Sequence, residues 1–187
     1  VQFTWFIHLC INLEDNGHGI CYGRYDQFMY PYYKQDVVDG DMDPAFANEL
    51  MACCWIKTTE IIKLRDQFDS VSFAGYPMWQ NVTLGGVKRD GTDATNELSY
   101  AVMDSWESVL TVQPTLQLRC YDNTPPELLR HAMKLTQKGY ATPSYFNDKQ
   151  IIPILLSKGA TLEDARDYVM ACVECYPQNS DGRPVVG

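Results

Sequence analysis

Strand-like and helix-like segments alternate along this 187-residue chain, and that alternation most constrains its fold. Thr115-Leu-Gln-Leu-Arg119 switches between apolar and polar residues as a half-buried strand does. Before it, a helix is predicted over about 93–110. After it, Pro125-Pro126 opens another helix that Gly139 closes. Asp43-Pro44 reads as an N-cap followed by a first helical proline. The long helix it opens runs through Phe46, Leu50, Cys53, Cys54, Ile61, Leu64 and Phe68 at intervals of mostly three to four residues. Residues 70–84 have strand character and end at Gly85-Gly86. Two more helices are predicted over 150–158 and 162–170, the second with Thr161 as N-cap and Asp164 as its partner. The first eleven residues read as a buried helix end, and 17–23 as a loop. Strands separated by helices predict an α/β fold. No repeat, low-complexity run or long linker divides the chain, so 1–187 reads as one unit.

Bulk chemistry excludes several classes of partner. A net charge of -9 opposes nucleic-acid or anionic-membrane binding, which needs clustered Lys and Arg. No apolar run approaches the roughly 20 residues of a membrane span. The segment Val1-Gln-Phe-Thr-Trp-Phe-Ile-His-Leu-Cys-Ile11 lacks the basic start and cleavage site of a signal peptide. Seven cysteines at irregular spacing do not form a secreted disulfide framework, so a reducing cytoplasm is expected.

Chemistry concentrates near the end of the chain. Cys172-Val-Glu174 sets a thiol and a carboxylate two residues apart, ahead of the turn-rich Cys175-Tyr-Pro-Gln-Asn-Ser-Asp-Gly182. A thiol can exchange a hydrogen atom or attack as thiolate, and a nearby carboxylate can move a proton. Cys172-x-x-Cys175 also has the spacing of a dithiol or of half a zinc site. A second such pair is missing, however, and Cys10, His18 and Cys21 are poor substitutes. A thioredoxin-like pair would open a helix, whereas this one is expected to close one. Buried structural cysteines are the plain alternative.

Four blocks of sequence resolve the choice. Asn16-Gly-His-Gly-Ile-Cys-Tyr-Gly-Arg-Tyr-Asp-Gln27 leads into Tyr30-Pro-Tyr-Tyr33. Asn81-Val-Thr-Leu-Gly-Gly86 is followed by Gly91-Thr-Asp-Ala-Thr-Asn-Glu-Leu-Ser99. Tyr145-Phe-Asn-Asp148 comes with Ile151-Ile-Pro153, and Ala171-Cys-Val-Glu174 is last. In content and order these resemble the glycyl radical enzymes, across nearly the whole chain. The resemblance implies an α/β barrel whose thiyl-cysteine loop enters the barrel interior, with this chain supplying part of it. It also implies that Cys172 carries the thiyl radical and that Glu174 acts as base. Cys175 is left without a role.

The same resemblance implies His18, Gly19 and Tyr76 as substrate contacts. His18 is similar to a substrate-contacting histidine of the family's glycerol dehydratases, where a serine follows; here Gly19 follows. Tyr76 is similar to a pocket aromatic. Losing that hydroxyl disfavours glycerol relative to a less hydroxylated or bulkier substrate. A 1,2-diol, hydroxyproline, choline, isethionate and an arylacetate are the candidates. Pyruvate formate-lyase itself carries two adjacent cysteines in the loop. Val173 and Glu174 instead resemble the eliminating and decarboxylating branches, leaving formate acetyltransferase as the enzymatic alternative and a non-catalytic, degenerate homologue as the other.

The family's Arg-Val-small-Gly-aromatic radical motif is not found here, and Arg183-Pro-Val-Val-Gly187 is a poor match. The chain therefore reads as an internal piece of a larger enzyme, inactive alone. No bound cofactor or metal is expected. The protein glycyl radical would lie outside these residues and would be installed by a radical S-adenosylmethionine activating enzyme. A homodimer, anaerobic operation and a small-molecule substrate are the remaining implications.

Two further patterns resemble sites without completing them. The stretch from Gly86 to Thr92 has P-loop glycine spacing without the phosphate-binding lysine. Asp39-x-Asp41-x-Asp43 starts like a calcium loop but places Pro44 at the turn glycine and Leu50 at the bidentate glutamate. Arg24, Asp26 and Gln27 read equally as structural partners or substrate contacts.

Overall fold

A computed structural model describes residues 1–14, 19–64, 66–72 and 78–170, together with the backbone of 171 and 174–177. Four strands, β1 (Cys21–Arg24), β2 (Asn81–Gly85), β3 (Thr115–Cys120) and β4 (Ser144–Asn147), form one parallel sheet in chain order. Sequential parallel order requires every crossover to turn the same way, which puts the connecting helices on one face. Those helices are chiefly α4 (Pro44–Glu60), α6 (Glu97–Val109) and α7 (Pro126–Gln137).

Strand alternation then separates two chemistries. Val82, Leu84, Leu116 and Leu118 point into the helical layer and pack with Trp55, Leu98, Val102, Trp106 and Leu128. Trp55 Nε1 donates to Ser105 Oγ at 2.9 Å, and Trp106 Nε1 to the Pro114 carbonyl at 3.0 Å. Both indoles are thereby satisfied inside an apolar core. Asn81, Thr83, Gln117 and Arg119 occupy the opposite positions and are buried as well. The α/β expectation holds, and the sheet has a polar second face.

Several boundaries differ from the sequence reading. The helix from Pro44 ends at Glu60, with Ile61 extended. Thr58 and Thr59 bond back to the carbonyls of Cys54 and Trp55, and Gln113 donates to the Thr58 carbonyl. Side chains thus take the helix's last acceptors and the chain can leave. Residues read as the start of a strand form α5 (Gln67–Ser72), where Asp66 Oδ1 accepts from Asp69 N at 2.9 Å. The strand proper begins only at Asn81. β1 falls where a loop was expected, and β4 lies in a block given no secondary structure. Both are four residues long, too short to show alternation.

The segment after Thr161 is corrected most. Helix α9 (Leu162–Arg166) stops early, and β5 (Tyr168–Ala171) pairs antiparallel with β6 (Glu174–Pro177). The residues before Cys172 therefore form a strand rather than a helix end. The caps themselves are as expected: Asp164 N donates to Thr161 Oγ1 at 3.2 Å, and Ala45 N to Asp43 Oδ1 at 3.0 Å.

Helix α1 (Gln2–Glu14) is not the buried end expected from its apolar residues, because these surround the helix on all sides. Phe3, Phe6 and Leu13 are exposed, while His8 and Asn12 are buried. Burial lowers the His8 imidazole from 6.5 to about 4. Its neutral form is the folded form, so its contribution to stability is complete above pH 6.5 and is lost as pH falls toward 4. Denaturant midpoints of the protein should drop across that window by on the order of 2 kcal/mol. His8→Gln should flatten the drop, and an unchanged pH dependence in that variant would refute the assignment. Among the described residues no helix is long and apolar enough to cross a membrane.

Candidate active site at the carboxyl ends of the strands

Sites in parallel α/β sheets form where the strands end at their carboxyl edge. Here that edge carries Arg24, Gly85, Arg119 and Asn147 from β1 to β4. Arg119 and Asp148 are both buried and form a two-pronged ion pair. Nε reaches Oδ1 and Nη2 reaches Oδ2, each at 2.9 Å. Asp148 also accepts from Tyr168 Oη at 2.7 Å and from Val87 N at 3.2 Å, so both oxygens are fully used. Arg119 donates further to the carbonyls of Tyr168 and Arg166 at 3.1 and 2.8 Å, and its guanidinium lies 3.9 Å over the Tyr168 ring. These carbonyls turn toward Arg119 rather than up the helix axis, which accounts for the early end of α9.

The Gly85-Gly86 pair makes room for this arrangement. Both glycines have positive φ, 67° and 76°. A Cβ on Gly86 would lie 2.7 Å from Arg119 Nε and 2.9 Å from Cζ. The following turn, which resembled a P-loop, is an outer brace. Arg89 Nη2 bonds Asp164 at 2.9 Å, and Arg166 Nη1 donates to the Arg89 carbonyl at 3.2 Å.

Arg24, Asp26 and Gln27 resolve as structural partners. Arg24 Nη1 pairs with Asp167 at 2.7 Å, and Nη2 donates to the Gly85 carbonyl at 3.0 Å. Burial first, and then the nearby Arg119, lowers the Arg24 pKa. Asp26 accepts from Gly85 N at 2.7 Å, Ser99 Oγ at 2.6 Å and Gln27 Nε2 at 3.0 Å. Burial pushes its carboxyl pKa up against those bonds. Asn96 caps α6 and donates to the Asp26 carbonyl at 2.7 Å. Three of the sequence blocks thus hold one another.

The polar face continues below this layer. Thr83 Oγ1 lies 3.1 Å from Gln117 Oε1 and 3.5 Å from both the Cys21 thiol and Met170 N. Burial keeps the Cys21 thiol protonated by raising its pKa. Strand β5 is therefore laid against the polar face. Among the described residues no group of three His, Cys, Asp or Glu side chains could hold a metal ion.

Of the residues singled out from sequence, Cys172, His18 and Tyr76 lie outside the described residues. Glu174 is described by its backbone, which pairs with Ala171 in the hairpin register; Cys175 pairs with Met170. Gly19 has φ 72° and donates its N–H to the Met78 carbonyl at 2.8 Å. A left-handed backbone is itself a reason for glycine, so Gly19 need not report on substrate. Arg119 and Tyr168 were missed as site residues, and Asp148 was noted only as a block member. The available signal was an arginine ending an alternating strand on its polar side.

A singly wound parallel sheet, helices outside and a clamped hairpin against its polar face define part of an α/β barrel. The chain belongs to the pyruvate formate lyase-like family, whose pattern matches residues 1–181. It is 36% identical over 179 residues to the probable dehydratase YbiW of Escherichia coli, covering 93% of this chain and 22% of that protein. It is also 36% identical over 183 residues to the isethionate sulfite-lyase of Desulfovibrio desulfuricans, covering 96% and 22%. The glycerol-bound B12-independent glycerol dehydratase from Clostridium butyricum superposes with a TM-score of 0.88 at 47% identity, over 92% of this chain and 22% of that one. The chain thus spans about a fifth of the length of each of these relatives.

Proposed function

We propose that this chain is the part of a glycyl radical lyase that carries the hydrogen-abstracting cysteine, Cys172, and the base, Glu174. The observation supporting the reading most is the fixing of β5, the strand that precedes Cys172, against the polar face of a parallel sheet. The similarity to dehydratases and to a carbon–sulfur lyase supports elimination from a small polar molecule.

A glycyl radical elsewhere in the full enzyme, installed by a radical S-adenosylmethionine activating enzyme, supplies the oxidising equivalent. Cys172 gives up its S–H hydrogen atom and then takes one from a substrate C–H bond, re-forming S–H. Glu174 accepts the proton of the adjacent hydroxyl as the neighbouring group leaves. The product radical regains a hydrogen atom from Cys172, so the thiol turns over without net oxidation. Burial against the sheet excludes water from these steps.

The substrate is a small diol or a comparable substituted alcohol, held with help from His18, Gly19 and Tyr76. Formate acetyltransferase activity is the second reading, and Val173 and Glu174 speak against it.

Glu174→Gln in the activated full-length enzyme tests the assignment of base. Elimination should slow by roughly 10²–10⁴-fold, while deuterium from solvent still enters the substrate through Cys172. Unchanged elimination would move the base elsewhere. Glycerol, 1,2-propanediol, isethionate and pyruvate with coenzyme A, assayed side by side, separate the lyase from the acetyltransferase reading.

A further inference from the structure

We propose that Arg119, Asp148 and Tyr168 form a positioning clamp that sets where the Cys172–Glu174 turn sits, an inference that rests on the reading just given. Tyr168 is gripped at three points. Its carbonyl accepts from Arg119, its hydroxyl donates to Asp148, and its ring lies beneath the guanidinium that joins the two. Arg119 also holds the Arg166 carbonyl, and Arg24 pairs with Asp167, so three consecutive residues at the root of β5 are tied to strand ends of the sheet. Further along, Met170 N meets Thr83 Oγ1.

Stability alone does not explain this choice of residues. A buried ion pair gives up hydration that its attraction barely restores, and well-packed apolar residues often stabilise as much. What the pair adds is direction. A planar fork on a fully used carboxylate allows one orientation, whereas an apolar contact allows several. Cys172 lies four residues beyond Tyr168, and strands rise ~3.3 Å per residue. A tilt of a few degrees at the root would shift the turn by on the order of 1 Å, enough to cost about a hundredfold where reacting atoms must align. Gly86 belongs to the same device, since only an absent Cβ leaves Arg119 its place.

The test uses the activated full-length enzyme. Tyr168→Phe keeps the ring under Arg119 and removes one donor; Arg119→Lys keeps the charge and loses the fork. Glycyl radical content is read by electron paramagnetic resonance, alongside the thermal midpoint, kcat per radical, KM and solvent-deuterium entry into substrate. For Tyr168→Phe, kcat per radical and deuterium entry should both fall roughly 10–100-fold. KM should stay within about twofold, with radical content and melting nearly unchanged. Arg119→Lys should lose at least as much per radical. Normal kcat per radical in Tyr168→Phe overturns the clamp, as does a loss that merely tracks radical content or melting. If Arg119→Lys does not fold, Tyr168→Phe decides alone. Cys172→Ser run in parallel tells the two failures apart. Turnover in that variant sinks the reading of Cys172 and the clamp with it, whereas a dead Cys172→Ser beside a fully active Tyr168→Phe sinks the clamp alone.

Discussion

Cys172→Ser is expected to abolish turnover in the activated full-length enzyme while leaving its glycyl radical signal in place. A sulfur–hydrogen bond is close enough in strength to an alkyl C–H bond for hydrogen to pass in both directions. The O–H bond of serine is too strong to be opened by a glycyl radical, so the relay stops at its second station. The substitution replaces one sulfur by oxygen, and loss of activity with full radical content therefore reports chemistry rather than folding. Residual activity in the variant would transfer the role to another thiol. Cys175, three residues on, would be examined first. Cys21, on the polar face beside Thr83, would come next.

Gly86→Ala should be the most damaging single substitution at the strand ends. A left-handed backbone costs a non-glycine residue about 1–2 kcal/mol, and Gly86 has φ 76°. The added methyl would also sit 2.7 Å from Arg119 Nε, inside contact distance of a side chain that is already pinned. Arg119 cannot yield without leaving Asp148, and breaking a buried pair costs roughly 3–5 kcal/mol. The two effects together approach the whole stability of an ordinary domain. Poor soluble yield or a steep fall in the thermal midpoint is the expected result. Gly139→Ala supplies the control, because its φ is also positive at 87° but nothing lies within 4 Å of its Cβ position. It should lose about 1–2 kcal/mol from backbone strain alone. Equal losses in the two variants would show that contact with Arg119 is not what requires Gly86.

Both expectations combine what can be read along the chain with what cannot. Thr115-Leu-Gln-Leu-Arg119 was legible as a strand because the pleat repeats every two residues. The caps at Asp43, Asn96 and Thr161 act over two or three residues and leave a local mark, of which those at Asp43 and Thr161 were read in advance. The Cys172–Glu174 pair and the order of the four blocks were likewise visible without any coordinates, and they identified the family. By contrast, β1 and β4 are strands because neighbours pair with them, and four residues carry no period of their own. The segment ending at Ala171 looked helical until its carbonyls had a stronger partner in Arg119.

The alternation of strands and helices, the helix starts and the chemistry of Cys172 and Glu174 were determined by sequence alone, since each depends on residues within a few positions of one another. Which polar residues meet was decided only by the tertiary structure. Arg119 finds Asp148 after 29 residues and Tyr168 after 49, and Asp26 finds Gly85 after 59 and Ser99 after 73. No local pattern encodes such pairings. They exist because the sheet brings strand ends together and excludes water there, so that a buried charge must be matched wherever its partner lies in the chain.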